Sequence, residues 1–152
     1  MIDDIIAKVN LHKNRLQLAL KEIGEWDSIN SDIFEDFEKI KVVDTFIYRF
    51  IKLQDIIGEK LFKTFLNDIG EYKDNMSLLD VLDKLEKFEI VESANKWIEY
   101  RKLRNQLTHE YPNNEDEIID GIKIAIDVYY EIEVVLDNIY KYMDSKSKRK
   151  NC

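Results

Sequence analysis

Apolar residues recur at helical intervals along almost the whole chain. Ile2, Ile5, Val9, Leu16, Leu20 and Ile23 follow one another in multiples of three and four, which predicts a first helix from Ile2 to about Glu25, ended by Gly24 and the polar stretch 28–31. Asp32 and Glu35 have the spacing of a capping pair. From Phe34 through Phe46, Phe50, Leu53, Leu61 and Phe65 to Ile69 the same steps predict an unbroken second helix from Asp32 to Asp68, about 55 Å long at 1.5 Å per residue. A second apolar row, Ile47, Ile51, Phe62 and Leu66, widens its buried face and implies packing on two sides, in the core or against another subunit. Gly58 interrupts this helix; a mid-helix glycine costs about 1 kcal/mol against alanine, so it marks a bend or a close helix crossing.

Ser77 is placed to cap a third helix carrying Leu78, Leu82 and Leu85, and Ser93 a fourth carrying Trp97, Leu103 and Leu107. Pro112 stops the fourth, because the residue before proline is steered out of helical geometry. Asn114 opens the last helix, with Glu115, Asp116 and Glu117 in its first turn and a stripe from Ile118 and Ile122 through Tyr129 and Leu136 to Met143. The expected fold is all-α, an antiparallel bundle of about five helices formed by a single domain over residues 1–145, followed by a basic, disordered tail at 146–152.

Composition narrows the class. With 152 residues, 45% hydrophobic and 36% charged, the chain can bury one real core. One Pro and four Gly are too few for the tight turns of an all-β fold. The single cysteine, Cys152, excludes an internal disulfide and a cysteine-based metal site, and points to a reducing compartment. No signal-peptide pattern is visible at the start and no apolar run approaches a membrane span, so a cytoplasmic protein without membrane association is expected. No metal or cofactor is expected either: there are two histidines, no paired ligand spacing and no glycine-rich phosphate loop. Net charge is −8, and −12 once Lys146, Lys148, Arg149 and Lys150 of the tail are set aside. Such an acidic body binds nucleic acid only through a local patch, its tail or a partner.

The fourth helix is far less acidic than the last. Over residues 92–111 cations exceed acids by one, whereas over 113–144 acids exceed cations by seven. Here Arg101, Asn105 and His109 are four apart and share a helical face, with Arg104, Thr108 and Tyr111 on the next strip. On a continuous helix Arg104 and His109 would be about 140° apart, so two copies related by a two-fold axis clamp a phosphate more readily than one. Arg104 suits phosphate binding and charge stabilisation, His109 general acid–base work, and Asn105 orientation of the imidazole or contact with a phosphate oxygen; Arg101 and Lys102 add cations for a substrate. The same residues also fit a plainer arrangement, with Arg104 in a surface ion pair with Glu99 or Glu110 and His109 as a capping residue. His12 falls in the first helix's apolar stripe and reads as a core or interface histidine. Arg49, Gln54 and Asp55 are polar interruptions of a very apolar helix, either supporting the site or facing solvent.

The run Arg104-Asn105-x-Leu107-x-His109-x-Tyr111 resembles the Arg-x4-6-His signature of the HEPN superfamily, and more closely the Arg-x4-His-x-Tyr form of HepT-like toxins. The resemblance implies a homodimer whose two motifs meet in a composite active site. It also implies metal-independent ribonuclease activity on RNA, and an antitoxin of minimal nucleotidyltransferase type that adenylylates the motif tyrosine, here Tyr111. The runner-up is a non-catalytic subunit that binds nucleotide or substrate for such a nucleotidyltransferase.

Overall fold

This computed structural model describes residues 1–109 and 114–150, with side chains as far as residue 147. Among them every regular element is helical, in the order α1 (Ile2–Gly24), a 3-10 turn (Ser31–Glu35), α2 (Phe37–Ile56), a π turn (Ile57–Leu61), α3 (Phe62–Asp68), α4 (Leu78–Lys87), α5 (Ala94–Thr108) and α6 (Glu115–Lys150). Because α2, the π turn and α3 run on without a loop, the fold is a bundle of five helical rods, the all-α architecture expected from the periodicity.

The second rod starts later than expected. Asn30 caps the 3-10 turn by accepting from the Asp32 N–H. The chain then extends at Asp36, whose carboxylate accepts from the Glu38 and Lys39 N–H groups and opens α2. Asp36 takes the capping role because its backbone is extended, at φ −118° and ψ 106°, as an N-cap requires, whereas Asp32 is already inside the 3-10 turn. The other expected starts hold. Ser77 forms a reciprocal capping box with Asp80, and the Ser93 hydroxyl accepts from the Lys96 N–H. Gly70 ends α3 at φ +76°, a left-handed conformation that suits glycine, while the Glu71 N–H reaches back to the Leu66 carbonyl. At the far end α6 continues to Lys150, into the basic segment that begins at Lys146.

The core is built around the second rod. Phe46, Phe50, Leu53, Ile57, Leu61, Phe62 and Phe65 are completely buried. Val9 and Leu16 of α1, Leu82 and Leu85 of α4, Trp97 of α5 and Tyr129, Ile132 and Leu136 of α6 close over them. Ile33 of the 3-10 turn makes a smaller cluster with Val43, Ile119 and Ile122. No helix of the described residues is long and apolar enough to cross a membrane.

Candidate functional site

The π turn positions the site. Here the Phe62 N–H bonds the carbonyl of Ile57, five residues back, so the rod carries one residue more than an α turn allows. Gly58 lies within this turn and faces Trp97; a Cβ there would sit 3.4 Å from the indole Nε1. That is the close crossing anticipated from a glycine in the middle of an apolar helix. The Trp97 ring packs edge-on against Phe62, with centroids 4.7 Å apart, and its N–H is buried without a hydrogen-bond partner among the described residues.

Between the two elements runs a groove of about 300 Å³. The second rod contributes Gln54, Asp55, Gly58, Glu59 and Lys63; α5 contributes Trp97, Arg101, Arg104 and Asn105; Leu78 closes one end. Gln54, only 2% exposed, donates to the Tyr100 carbonyl at 2.9 Å and so fixes α2 to α5 one turn before Arg104. Asp55 takes both Arg104 Nε and Nη2, at 2.9 and 2.7 Å, in a two-point carboxylate–guanidinium pair. Arg104 Nη1 donates to the Asn105 side-chain oxygen at 3.2 Å. A guanidinium has five N–H donors, so two remain beyond these three bonds.

This corrects two expectations. Arg104 pairs with Asp55 and not with Glu99, because α2 itself packs against α5; residue 110 lies outside the described residues. Of the three polar interruptions, Gln54 and Asp55 belong to the groove, the first buried and the second partly so, while Arg49 lies elsewhere and donates to Nδ1 of His12 at 3.0 Å. His12 is half-buried between α1 and α2.

The expected site residues are only partly brought together. Arg101, Arg104 and Asn105 line the groove; Lys102 and His109 do not. His109 lies one residue past the end of α5 in an extended conformation, φ −88° and ψ 119°, so the 140° helical spacing does not apply to it. At this end the Thr108 hydroxyl donates to the Asn105 carbonyl at 2.6 Å and the His109 N–H to the Gln106 carbonyl, satisfying two of the carbonyls that a helix end leaves unpaired. The His109 side chain is exposed. Tyr111 and Pro112 lie outside the described residues.

Other charges on α5 face α6. Lys96 bridges Glu92 and Glu131, at 3.0 and 3.3 Å, and the Tyr100 hydroxyl donates to Glu131 at 2.9 Å. Burial, reinforced by that carboxylate, pushes the Tyr100 hydroxyl well above its ordinary pKa, so it stays protonated as a donor. Glu59 and Lys63 are groove residues that periodicity does not single out; it marks Leu78 and Trp97 only as apolar stripe positions and Gly58 only as a break. Among the described residues no cluster of three or more His, Cys, Asp or Glu is arranged to hold a metal ion. No protein-family model matches the chain, and neither curated proteins nor solved structures give a significant match to it.

Proposed function

We propose that the chain is a HEPN-type, metal-independent endoribonuclease, the toxin of a toxin–antitoxin pair, working as a homodimer. The observation that carries this reading is Arg104. It is held at two points by Asp55 on the edge of a groove, tied to Asn105, and stands five residues before His109 in an Arg-x4-His-x-Tyr sequence. The fixed guanidinium keeps donors for a phosphate oxygen without having to be ordered by the substrate. In the proposed reaction His109 takes the proton of a ribose 2′-hydroxyl as that oxygen attacks the adjacent phosphorus. The bond to the 5′-oxygen breaks, that oxygen takes a proton from water, His109 returns its proton to solvent, and the products are a 2′,3′-cyclic phosphate and a 5′-hydroxyl. Arg104 stabilises the charge on the non-bridging oxygens. This reading assigns the histidine acting at each groove to the second copy, and it is supported by His109 lying outside the lining of its own chain's groove. Exposed Ile124, Tyr130 and Val134 on α6, each more than half accessible, offer apolar surface for that copy. Control falls to a minimal nucleotidyltransferase that places AMP on Tyr111.

The test is cleavage of RNA in excess EDTA with identification of the ends. Cyclic or 3′-phosphate products, lost in both Arg104→Ala and His109→Ala, support the reading. Activity that vanishes on chelation and returns with metal overturns it.

The absence of His109 from the groove also favours the second reading, a binding subunit of a nucleotidyltransferase. Arg101 and Lys63 would then hold a nucleotide phosphate beside Trp97. Nucleotide binding with no cleavage distinguishes it.

A further inference from the structure

A second concentration of positive charge lies away from the groove. Residues 5–21 of α1 contain Lys8, Lys13, Arg15 and Lys21 and no acid; residues 45–54 of α2 contain Arg49 and Lys52 and no acid. These two stretches carry +6 in a chain of net charge −8, which leaves −14 for the rest. They also touch each other. Arg49 donates to His12 Nδ1 at 3.0 Å. Arginine can only donate, so this nitrogen is the unprotonated one and the imidazole is neutral.

The contact sets the sides of both helices. Lys8 and Arg15, four before and three after His12, share its strip of α1, and both are exposed. Lys52, three after Arg49, is exposed on α2, and both cations lie over the ring of Tyr48, at 5.6 and 5.1 Å. Tyr48 is itself 53% exposed. Lys13 is the exception, turned the other way toward Glu133 of α6. Lys52 also stands three residues before Asp55, on the strip next to the groove. The cations Lys8, Arg15, Arg49 and Lys52 thus form a band that crosses from α1 over α2 and ends beside the Asp55–Arg104 pair.

We infer that this band is a track for the phosphate backbone of single-stranded RNA, leading the strand into the Arg104 groove. It rests on the ribonuclease reading for its choice of polyanion. An acidic body needs such a local patch to hold RNA at all, because the sequence-independent part of the binding comes from cations that neutralise phosphates. Tyr48 adds a partly open aromatic face of the kind on which unpaired bases stack. The exposed side chain of Leu11 borders the same face, so a protein or lipid surface is the competing occupant.

The experiment compares two substrates on the full-length protein, a dinucleotide too short to leave the groove and a single-stranded RNA of about 20 nucleotides. In the triple variant Lys8→Gln, Arg15→Gln, Lys52→Gln, affinity for the long RNA should fall at least about tenfold and the log–log salt slope by about 2, three phosphate contacts at roughly 0.7 each. Dinucleotide cleavage should stay at the wild-type rate. Lys8→Arg, Lys52→Arg should keep wild-type affinity, which separates charge from folding. Unchanged affinity and salt slope in the triple variant would overturn the track. So would wild-type protein that ignores RNA but binds anionic vesicles, or associates with itself, through the same three cations. RNA that binds through the band and is never cleaved supports the track and sinks the ribonuclease reading instead.

Discussion

Arg104 and Asp55, 49 residues apart in sequence, hold each other through two hydrogen bonds across the crossing of α5 and α2. Both side chains are a little over a quarter accessible, so the pair is neither a loose surface bridge nor a desolvated one. Asp55→Asn keeps one acceptor and loses the charge. It should cost about 1 kcal/mol in urea unfolding, in the range for a charge-assisted bond partly screened by water. RNA cleavage should drop about tenfold, since a guanidinium left to rotate must be ordered by the substrate. Cleavage at the wild-type rate in Asp55→Asn would show that Arg104 does not need its carboxylate.

Arg104→Ala and His109→Ala should each slow cleavage at least about 100-fold, the effect of removing a charge stabiliser or an acid–base group. His109 is exposed beyond the end of α5, so its variant should keep the wild-type helical fold by circular dichroism. Mixing the two inactive variants should restore activity, because a mixed dimer rebuilds one complete site from opposite chains. Failure of the mixture to recover, with dimers present by light scattering, would place the histidine and arginine of a site on the same chain.

Gln54→Leu removes the buried amide that donates to the Tyr100 carbonyl. The carbonyl has a second lone pair and remains within its own helix, so the loss should be modest, about 1 kcal/mol in chemical denaturation. Loosening α5 against α2 should show more strongly in nucleotide binding. Wild-type binding in a destabilised variant would mean the groove is set by packing alone.

The His12 imidazole is held below its ordinary pKa of 6.5 by burial first, then by the charges of Arg49 and Lys52. Above that value both folded and unfolded chains carry it neutral. As pH falls through 6.5 the unfolded chain takes the proton first, so stability should decline down to the lowered folded pKa and then level off. Against His12→Gln, the wild-type melting temperature should fall further between pH 7 and 5. Parallel curves for the two proteins would show that His12 does not couple to folding.

Much of this arrangement is legible in local sequence because it depends on neighbours. The capping serines Ser77 and Ser93 need only the next three residues, and the core stripes need only the helical period. Gly58 signals its crossing because a helix tolerates glycine poorly. What is not legible depends on distant or competing partners. Asp55 is an ordinary interruption until the packing of α2 against α5 sets it beside Arg104. The end of α5 at Thr108 leaves His109 one residue beyond the helix, an end that the helical period does not mark. Asp36 displaces Asp32 as a cap because a 3-10 turn intervenes, and both acids have suitable spacing on paper.

The π turn has a consequence for how this rod could have arisen and how it can be altered. One surplus residue turns everything after it by about 100° relative to everything before, at 3.6 residues per turn. Upstream, the rod must offer Asp55 to α5 and Arg49 to α1; downstream, it must offer Phe62 and Phe65 to the core. A straight α-helix of the same sequence could meet one demand only by abandoning the other. Deleting a single residue between Ile57 and Leu61 would therefore do more harm than most substitutions there. It would leave a regular helix whose two halves call for different neighbours, so that forming the groove would swing the aromatic residues out of the interior.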